Sequence, residues 1–284
     1  MSDLIVRGLL KSMQARFVAC SLSETAQEVC DRHKLQGPAA RLMSEALTGC
    51  ALLGSILKGN EKVTLQLHTE GKLRSLLADI DHDGNVRGTL RAEPGATYRE
   101  LVDAKGVLIL SQSHLGKMVY QGTSQMRMAD LPGDLALHCS TSQQIETYMG
   151  VIWEAPERGG MLAAGLLLQA LPDVDIEAFD AFRRKLETGQ IQISRELAIE
   201  PRAYAQHLLR DFEPHVLLEK PLQHHCTCSK ERIEPILLAM GAKEIHSLID
   251  EQDGASVVCE WCGKGYEFSA DELHGLLEQA AKQE

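Results

Sequence analysis

Residues 226–266 read CTCSKERIEPILLAMGAKEIHSLIDEQDGASVVCEWCGKGY. A Cys-x-Cys pair, Cys226 and Cys228, is separated by 30 residues from a Cys-x-x-Cys pair, Cys259 and Cys262. Four thiolates in two tight pairs can converge on one tetrahedral zinc ion, at zinc–sulfur distances of about 2.3 Å. Gly263 and Gly265 follow the second pair and free the backbone to turn round a metal. The first pair is tighter than the Cys-x-x-Cys of most structural zinc sites, so a generic zinc ribbon is not the best match. On spacing alone a structural zinc site and a redox-active one both stand. His224 and His225 directly precede Cys226 and compete as ligands, but four sulfurs already fill the shell. Cys259-Glu260-Trp261-Cys262 alone would also suit a thioredoxin-like oxidoreductase, yet no βαβ pattern adjoins it.

Around the quartet, Ser229 is placed to cap a helix running to Met240, with Gly241 as its stop and a second helix over 242–251. Segments 255–260 and 265–268 flank the second pair as a small hairpin. Ser269 and Glu272 form a capping box for a last helix. Residues 223–284 carry five Lys/Arg against twelve Asp/Glu, before a tetrathiolate zinc adds further negative charge. A zinc finger that reads nucleic acid needs the opposite balance, and the whole chain has a formal charge of −11.

Upstream of the quartet, residues 1–175 of this 284-residue chain read as one α+β domain. A helix from Glu24 to about Lys34 follows Ser23 as its cap, and Pro38 opens a longer one that presents Leu42, Met43, Ala46, Leu47, Cys50, Leu53 and Leu57 on one face. Gly59-Asn60 is its expected end. Strands follow over 63–67, 73–81, 86–91, 107–110 and 117–124, then a helix over 135–144 and buried strands over 147–153 and 161–171. Helices are expected against one or both faces of this sheet. From 176 to 222, amphipathic segments broken by Gly189, Pro201, Pro214 and Pro221 read as a linker of short helices that must rest on another surface to stay folded. Phe182 and Leu217 are the linker side chains expected to supply that contact. The fold class is therefore α+β: an N-terminal mixed sheet-and-helix domain (1–175), a helical linker (176–222) and a small C-terminal zinc-binding domain (223–284).

Other constellations fall away. Asp79-Ile80-Asp81-His82-Asp83-Gly84 opens like a calcium loop, but position twelve is Leu90 and the flanks read as strands, so Asp83-Gly84 is a hairpin turn. No nucleophile-elbow sequence surrounds any serine, and no Gly-rich phosphate loop is present, so no enzyme active site is expected. Cys20, Cys30, Cys50 and Cys139 are widely spaced and read as core packing. No apolar run approaches the roughly 20 residues that cross a bilayer. The N-terminus is too charged for a secretory signal, so eight cysteines point to a reducing compartment.

The Cys-x-Cys…Cys-x-x-Cys arrangement, with CSKER after the first pair and CGKGYEFSADEL around the second, resembles the heat shock protein 33 family of redox-regulated holdase chaperones. GNEKVTLQLHTEGKLRSLLADIDHDGNVRG (59–88) and AAGLLLQALP (163–172) extend the likeness over essentially the whole chain. The resemblance implies a cytoplasmic, ATP-independent chaperone of the stress response that binds unfolding client proteins, with no nucleic-acid or membrane partner and with a homodimer as an oxidised form. It places one zinc per chain on Cys226, Cys228, Cys259 and Cys262 in the reduced, inactive state. Oxidation is then expected to form the disulfides Cys226–Cys228 and Cys259–Cys262, expel the metal, unfold the small domain and free the linker. A constitutive zinc-ribbon interaction module without redox switching is the competing reading.

Overall fold

The computed structural model describes residues 2–102, 105–157 and 160–281. The chain forms two compact units, residues 1–225 and 226–284. In the first, β1 (Leu4–Leu10) and β2 (Ala15–Ser21) make a hairpin, followed by α1 (Ser23–Arg32) and α2 (Gly37–Leu53). A meander of β3 (Glu61–His68), β4 (Leu73–Asp81) and β5 (Asn85–Ala92) leads through the short α3 (Tyr98–Leu101) to the hairpin β6 (Val107–His114) and β7 (Lys117–Gln125). Next come α4 (Leu131–Ser142), the hairpin β8 (Thr147–Glu157) and β9 (Gly160–Ala170), and the helices α5 (Ile176–Glu187), α6 (Glu196–Ile199) and α7 (Pro201–Leu208). Strands β10 (Pro214–Pro221) and β11 (Gln223–His224) end the unit.

These strands make two sheets where one was expected. The order is β10-β1-β2-β9-β8 in the first and β11-β5-β4-β3-β6-β7 in the second. Ladders are antiparallel except for the two-residue pairing of β11 with β5. Helix α2 lies between the sheets and is buried nearly all round, including Ser44, Glu45 and Thr48. A helix with this much apolar surface finds stability only inside a core. It stops at Leu53 and tightens into a 3-10 turn over Gly54–Ile56, well before the expected Gly59.

Helix α1 also differs at its start. Ser23 makes no cap hydrogen bond; its hydroxyl pairs with the Ala163 backbone instead. The exposed amides are met by Asp3, whose carboxylate accepts from Glu24 N at 3.2 Å and Thr25 N at 2.6 Å. That carboxylate is buried, which raises its pKa against the pull of those two bonds. The Asp83-Gly84 turn is as expected: the Asp81 Oδ1 accepts from the amides of Asp83 and Asn85, both at 3.0 Å.

The other face of the first sheet is apolar too. Val6, Phe17, Ala19, Ala164, Leu166 and Leu168 are covered by Phe179, Phe182 and Leu186 of α5 and by Leu197, Ala205 and Leu209 beyond it. The segment after residue 175 thus rests on the sheet, as short helices must. It is not helical throughout. Residues 214–221 form β10, which pairs with β1 from Leu4 opposite Pro221 to Leu10 opposite Pro214, and Leu217 is 53% exposed there, so it makes no such contact.

The second unit comprises α8 (Lys230–Ala239), α9 (Ala242–Gln252), the hairpin β12 (Gly254–Val258) and β13 (Gly265–Ser269), and α10 (Ala270–Ala281). The capping box of α10 is formed: Glu272 N donates to Ser269 Oγ at 3.3 Å, and Ser269 N to Glu272 Oε2 at 2.9 Å. Ser229 stands at the start of α8 without a side-chain cap bond. No described helix is long and apolar enough to cross a membrane.

Candidate metal centre

The second unit's core is small, built from Ile233, Leu237, Ile245, Tyr266, Phe268, Leu273 and a few neighbours. A domain of this size buries little apolar surface and is marginal without a further cross-link. The cysteines lie where such a link would act. Cys226 and Cys228 sit in the irregular segment before α8, which Arg232 Nη1 steadies by donating to Thr227 O at 3.1 Å. Cys259 and Cys262 occupy the turn between β12 and β13. There Gly263 N donates to Cys259 O at 2.8 Å and Cys259 N to Lys264 O at 2.9 Å. Gly263 adopts φ +69°, a left-handed conformation that glycine takes without a Cβ penalty.

The two segments bring all four sulfurs within 4.8 Å of one another. Cys226 Sγ lies 3.9 Å from Cys259 Sγ, and Cys228 Sγ lies 3.3 Å from Cys262 Sγ. Ligands at about 2.3 Å from a tetrahedral centre stand roughly 3.8 Å apart, so the quartet fits one zinc ion in both spacing and softness. His224 is engaged elsewhere: its Nδ1 lies 3.0 Å from Glu28 Oε1.

Tyr266 on β13 adds a contact that the cysteine spacing did not disclose. Its hydroxyl donates to Cys228 Sγ at 3.1 Å. The only sequence signal was an aromatic four residues past Cys262, which also reads as core. Burial opposes ionisation of Cys228, but hydrogen bonds from Tyr266, Cys262, Cys226 and Cys259 outweigh it and bring that thiol down to about 7. Burial, with Cys228 and Cys259 bonded to it, pushes Cys262 up to about 12. In metal-free form Cys228 therefore ionises more readily than Cys259 or Cys262, which burial pushes upward. A bound divalent ion would favour ionisation of all four sulfurs. The first-unit cysteines are not part of this: Cys20, Cys30, Cys50 and Cys139 are all buried and apart from the cluster.

The chain has relatives of matching length. A family profile described as Hsp33 protein matches residues 3–269. A 33 kDa chaperonin of Geobacter sp. (strain M21) is 32% identical over the whole of both chains. One from Staphylococcus epidermidis is 28% identical over 97% of this chain and 98% of its own. Both carry a chaperone's name and not an enzyme's. In fold, the crystal structure of the 33 kDa chaperonin (heat shock protein 33 homolog) from Thermotoga maritima superposes with a TM-score of 0.87, covering 99% of this chain and all of that one at 22% identity. With its profile match over nearly the full length and a whole-chain relative above 30% identity, the chain belongs to the Hsp33 family.

Proposed function

We propose that this protein is a cytoplasmic holdase chaperone whose activity is governed by the redox state of Cys226, Cys228, Cys259 and Cys262. The observation that carries the reading is the convergence, within 4.8 Å, of sulfurs from two pairs 30 residues apart in sequence. When bound, zinc supplies a cross-link between the two pairs, worth on the order of 10 kcal/mol in small zinc modules. The residues supply the switch. On oxidation the two thiolates of a pair lose one electron each and an S–S bond forms. The O–O bond of one peroxide breaks, and two protons from solvent complete two waters. Disulfides Cys226–Cys228 and Cys259–Cys262 close only tiny loops and leave the two pairs unconnected, so they recover little of the lost stabilisation.

In this reading residues 1–175 are the stable core, joined by β10 from the end of the linker 176–222, residues 223–284 are the switch, and α5–α7 are the part of the linker that moves. The client surface is the apolar face of the first sheet, now covered by Phe179, Phe182, Leu186 and Leu197. Unfolding proteins expose apolar segments of the same kind, and a large uncovered patch binds them. Because α5–α7 are bracketed by β9 and β10, they can lift as a loop while β10 stays paired with β1. That hold is apolar area and not metal, so mild heat is expected to act together with oxidant.

Light scattering of a heat-unfolding client tests this. Peroxide-treated protein at mild heat should suppress aggregation, and reduced zinc-loaded protein should not. Equal suppression by both forms would remove the switch. Zinc retained under peroxide would favour a constitutive interaction module, and turnover of a small disulfide would favour an oxidoreductase.

A further inference from the structure

The two guanidiniums of the first hairpin are half-buried and, among the described residues, meet only neutral acceptors. Register places Arg7 opposite Val18 and Arg16 opposite Leu9, so both side chains leave the same face of the sheet, the face toward α2. Arg7 Nη1 donates to the carbonyl of Ser55, just past that helix, at 2.8 Å. Arg16 Nε donates to Gln169 Oε1 at 3.0 Å, and Nη2 to the same oxygen. Gln169 is 3% exposed and donates in turn to Thr147 Oγ1 at 3.1 Å, which fixes its neutral oxygen toward the arginine. Among the described residues no carboxylate pairs with Arg16. Burial lowers its pKa first, and the positive charge of Arg7 lowers it further.

Arg16 also lines a cavity of about 70 Å³. Gln112, Gln143 and Gln169 share its wall with aliphatic side chains such as Leu57 and Val63, and no acidic residue lines it. A charge partly removed from water is normally paired, and a buried polar group without a partner, here the Tyr120 hydroxyl on the cavity wall, points to a water or ion. A water's share of liquid volume is about 30 Å³, so the space takes one or two small particles. We propose that this cavity binds one small monovalent inorganic anion, of the size of chloride, against the Arg16 guanidinium. The Tyr120 hydroxyl, buried in the same wall with no hydrogen-bond partner, and the side-chain N–H groups of Gln112 and Gln143 are further donors to it. A dianion would leave one charge uncompensated among aliphatic walls, which selects the monovalent class. Such an ion would tie Arg16 of the first sheet to Gln112 on β6 of the second, within the first unit.

The test uses full-length, reduced, zinc-loaded protein. Chloride is titrated against gluconate, an anion too large for the cavity, at constant ionic strength. Binding to the folded state should raise the thermal midpoint of the first unit saturably, by about 2–4 °C. It should also broaden the chlorine-35 resonance. Arg16→Gln should abolish both effects, and Arg16→Lys should weaken them. Equal midpoints in the two salts with no broadening, or a chloride effect that survives Arg16→Gln, would overturn the site. Should Arg16→Gln fail to fold, wild-type crystals grown in bromide decide: an anomalous peak within hydrogen-bond reach of Arg16 supports the proposal, and water density alone refutes it.

Discussion

Cys20, Cys30 and Cys139 sit in the first unit with thiols that burial pushes up to about 12, 11 and 11; Cys50 is pushed the same way, for the same reason. Cys226, Cys228 and Cys259, in the second unit, are half-buried, and Cys228 is brought down to about 7. One residue type serves as an apolar filler in one unit and gathers into a four-sulfur cluster in the other. The difference lies in what surrounds the sulfur. A large core offers Cys50 little besides the Ala78 carbonyl, to which its thiol donates at 3.3 Å. A small core leaves Cys228 at its edge, among three other sulfurs and a tyrosine hydroxyl. The cores follow the same division: the first unit is held by burial on both faces of a sheet, whereas the second has one small cluster, which on the proposed function depends on what its sulfurs hold.

Removing the sulfurs should break the contrast most visibly. Cys226→Ser with Cys228→Ser should cost the second unit on the order of 10 kcal/mol of metal-dependent stability. Hydrogen exchange should lose protection over 226–281 and keep it over the first unit. Retained protection in both would mean that the small core suffices. The matching change in the first unit, Cys50→Ser, should cost only about 1–3 kcal/mol and leave zinc content untouched.

The covering helices give the next effect. Phe182→Glu places a charge at a 6% exposed position against the sheet, and should destabilise the docked segment by about 3–5 kcal/mol. Dye binding should rise in reduced protein while zinc content stays constant. Leu217→Glu, at an exposed site on β10, should change either reading by no more than about 0.5 kcal/mol. Equal effects from the two would show that burial does not set the hold.

Acid should separate the units by a smaller margin. His138 on α4 is fully buried and its pKa is lowered by burial. The unfolded chain therefore binds a proton that the folded one refuses. Its share of stability is fully present above about pH 6.5 and is lost as pH falls from there through the folded value. His138→Gln should flatten that slope in the first unit's midpoint; an unchanged slope would assign the acid sensitivity elsewhere. The smallest effect is at Tyr266. In metal-free reduced protein, Tyr266→Phe should move the midpoint of Cys228 alkylation upward from about 7. Alkylation of Cys20 should stay slow in both.

The cysteine centre was legible because its chemistry is written in spacing, and two pairs of sulfurs have few other uses. Strands β3 to β7 were legible for a related reason: Val63, Leu65 and Leu67 alternate with polar residues because the opposite face of that sheet is less buried. The first hairpin was not. Both faces of β2 are covered, so ARFVACS shows no alternation, and Arg7, Lys11 and Arg16, whose charge argues against a secretory signal, interrupt the apolar pattern of the segment. Strand β10 does alternate, with His215, Leu217 and Glu219 outward, but prolines at both ends and helical neighbours masked it. The cap of α1 was out of reach for another reason: Asp3 is twenty residues upstream, and only the pairing of β1 with β2 carries it there.

The first sheet is assembled from the two ends of its unit, with β1 held between β2 and a strand more than 200 residues later. A ribosome delivers these parts in order. While residues 15–170 are emerging, Val6, Phe17 and the later Leu166 and Leu168 have no cover, because their lid begins at residue 176. Synthesis at roughly 5–20 residues per second leaves that face open for seconds, and contacts between distant segments form slowly once available. The nascent chain therefore spends part of its own birth resembling the aggregation-prone proteins it is proposed to bind.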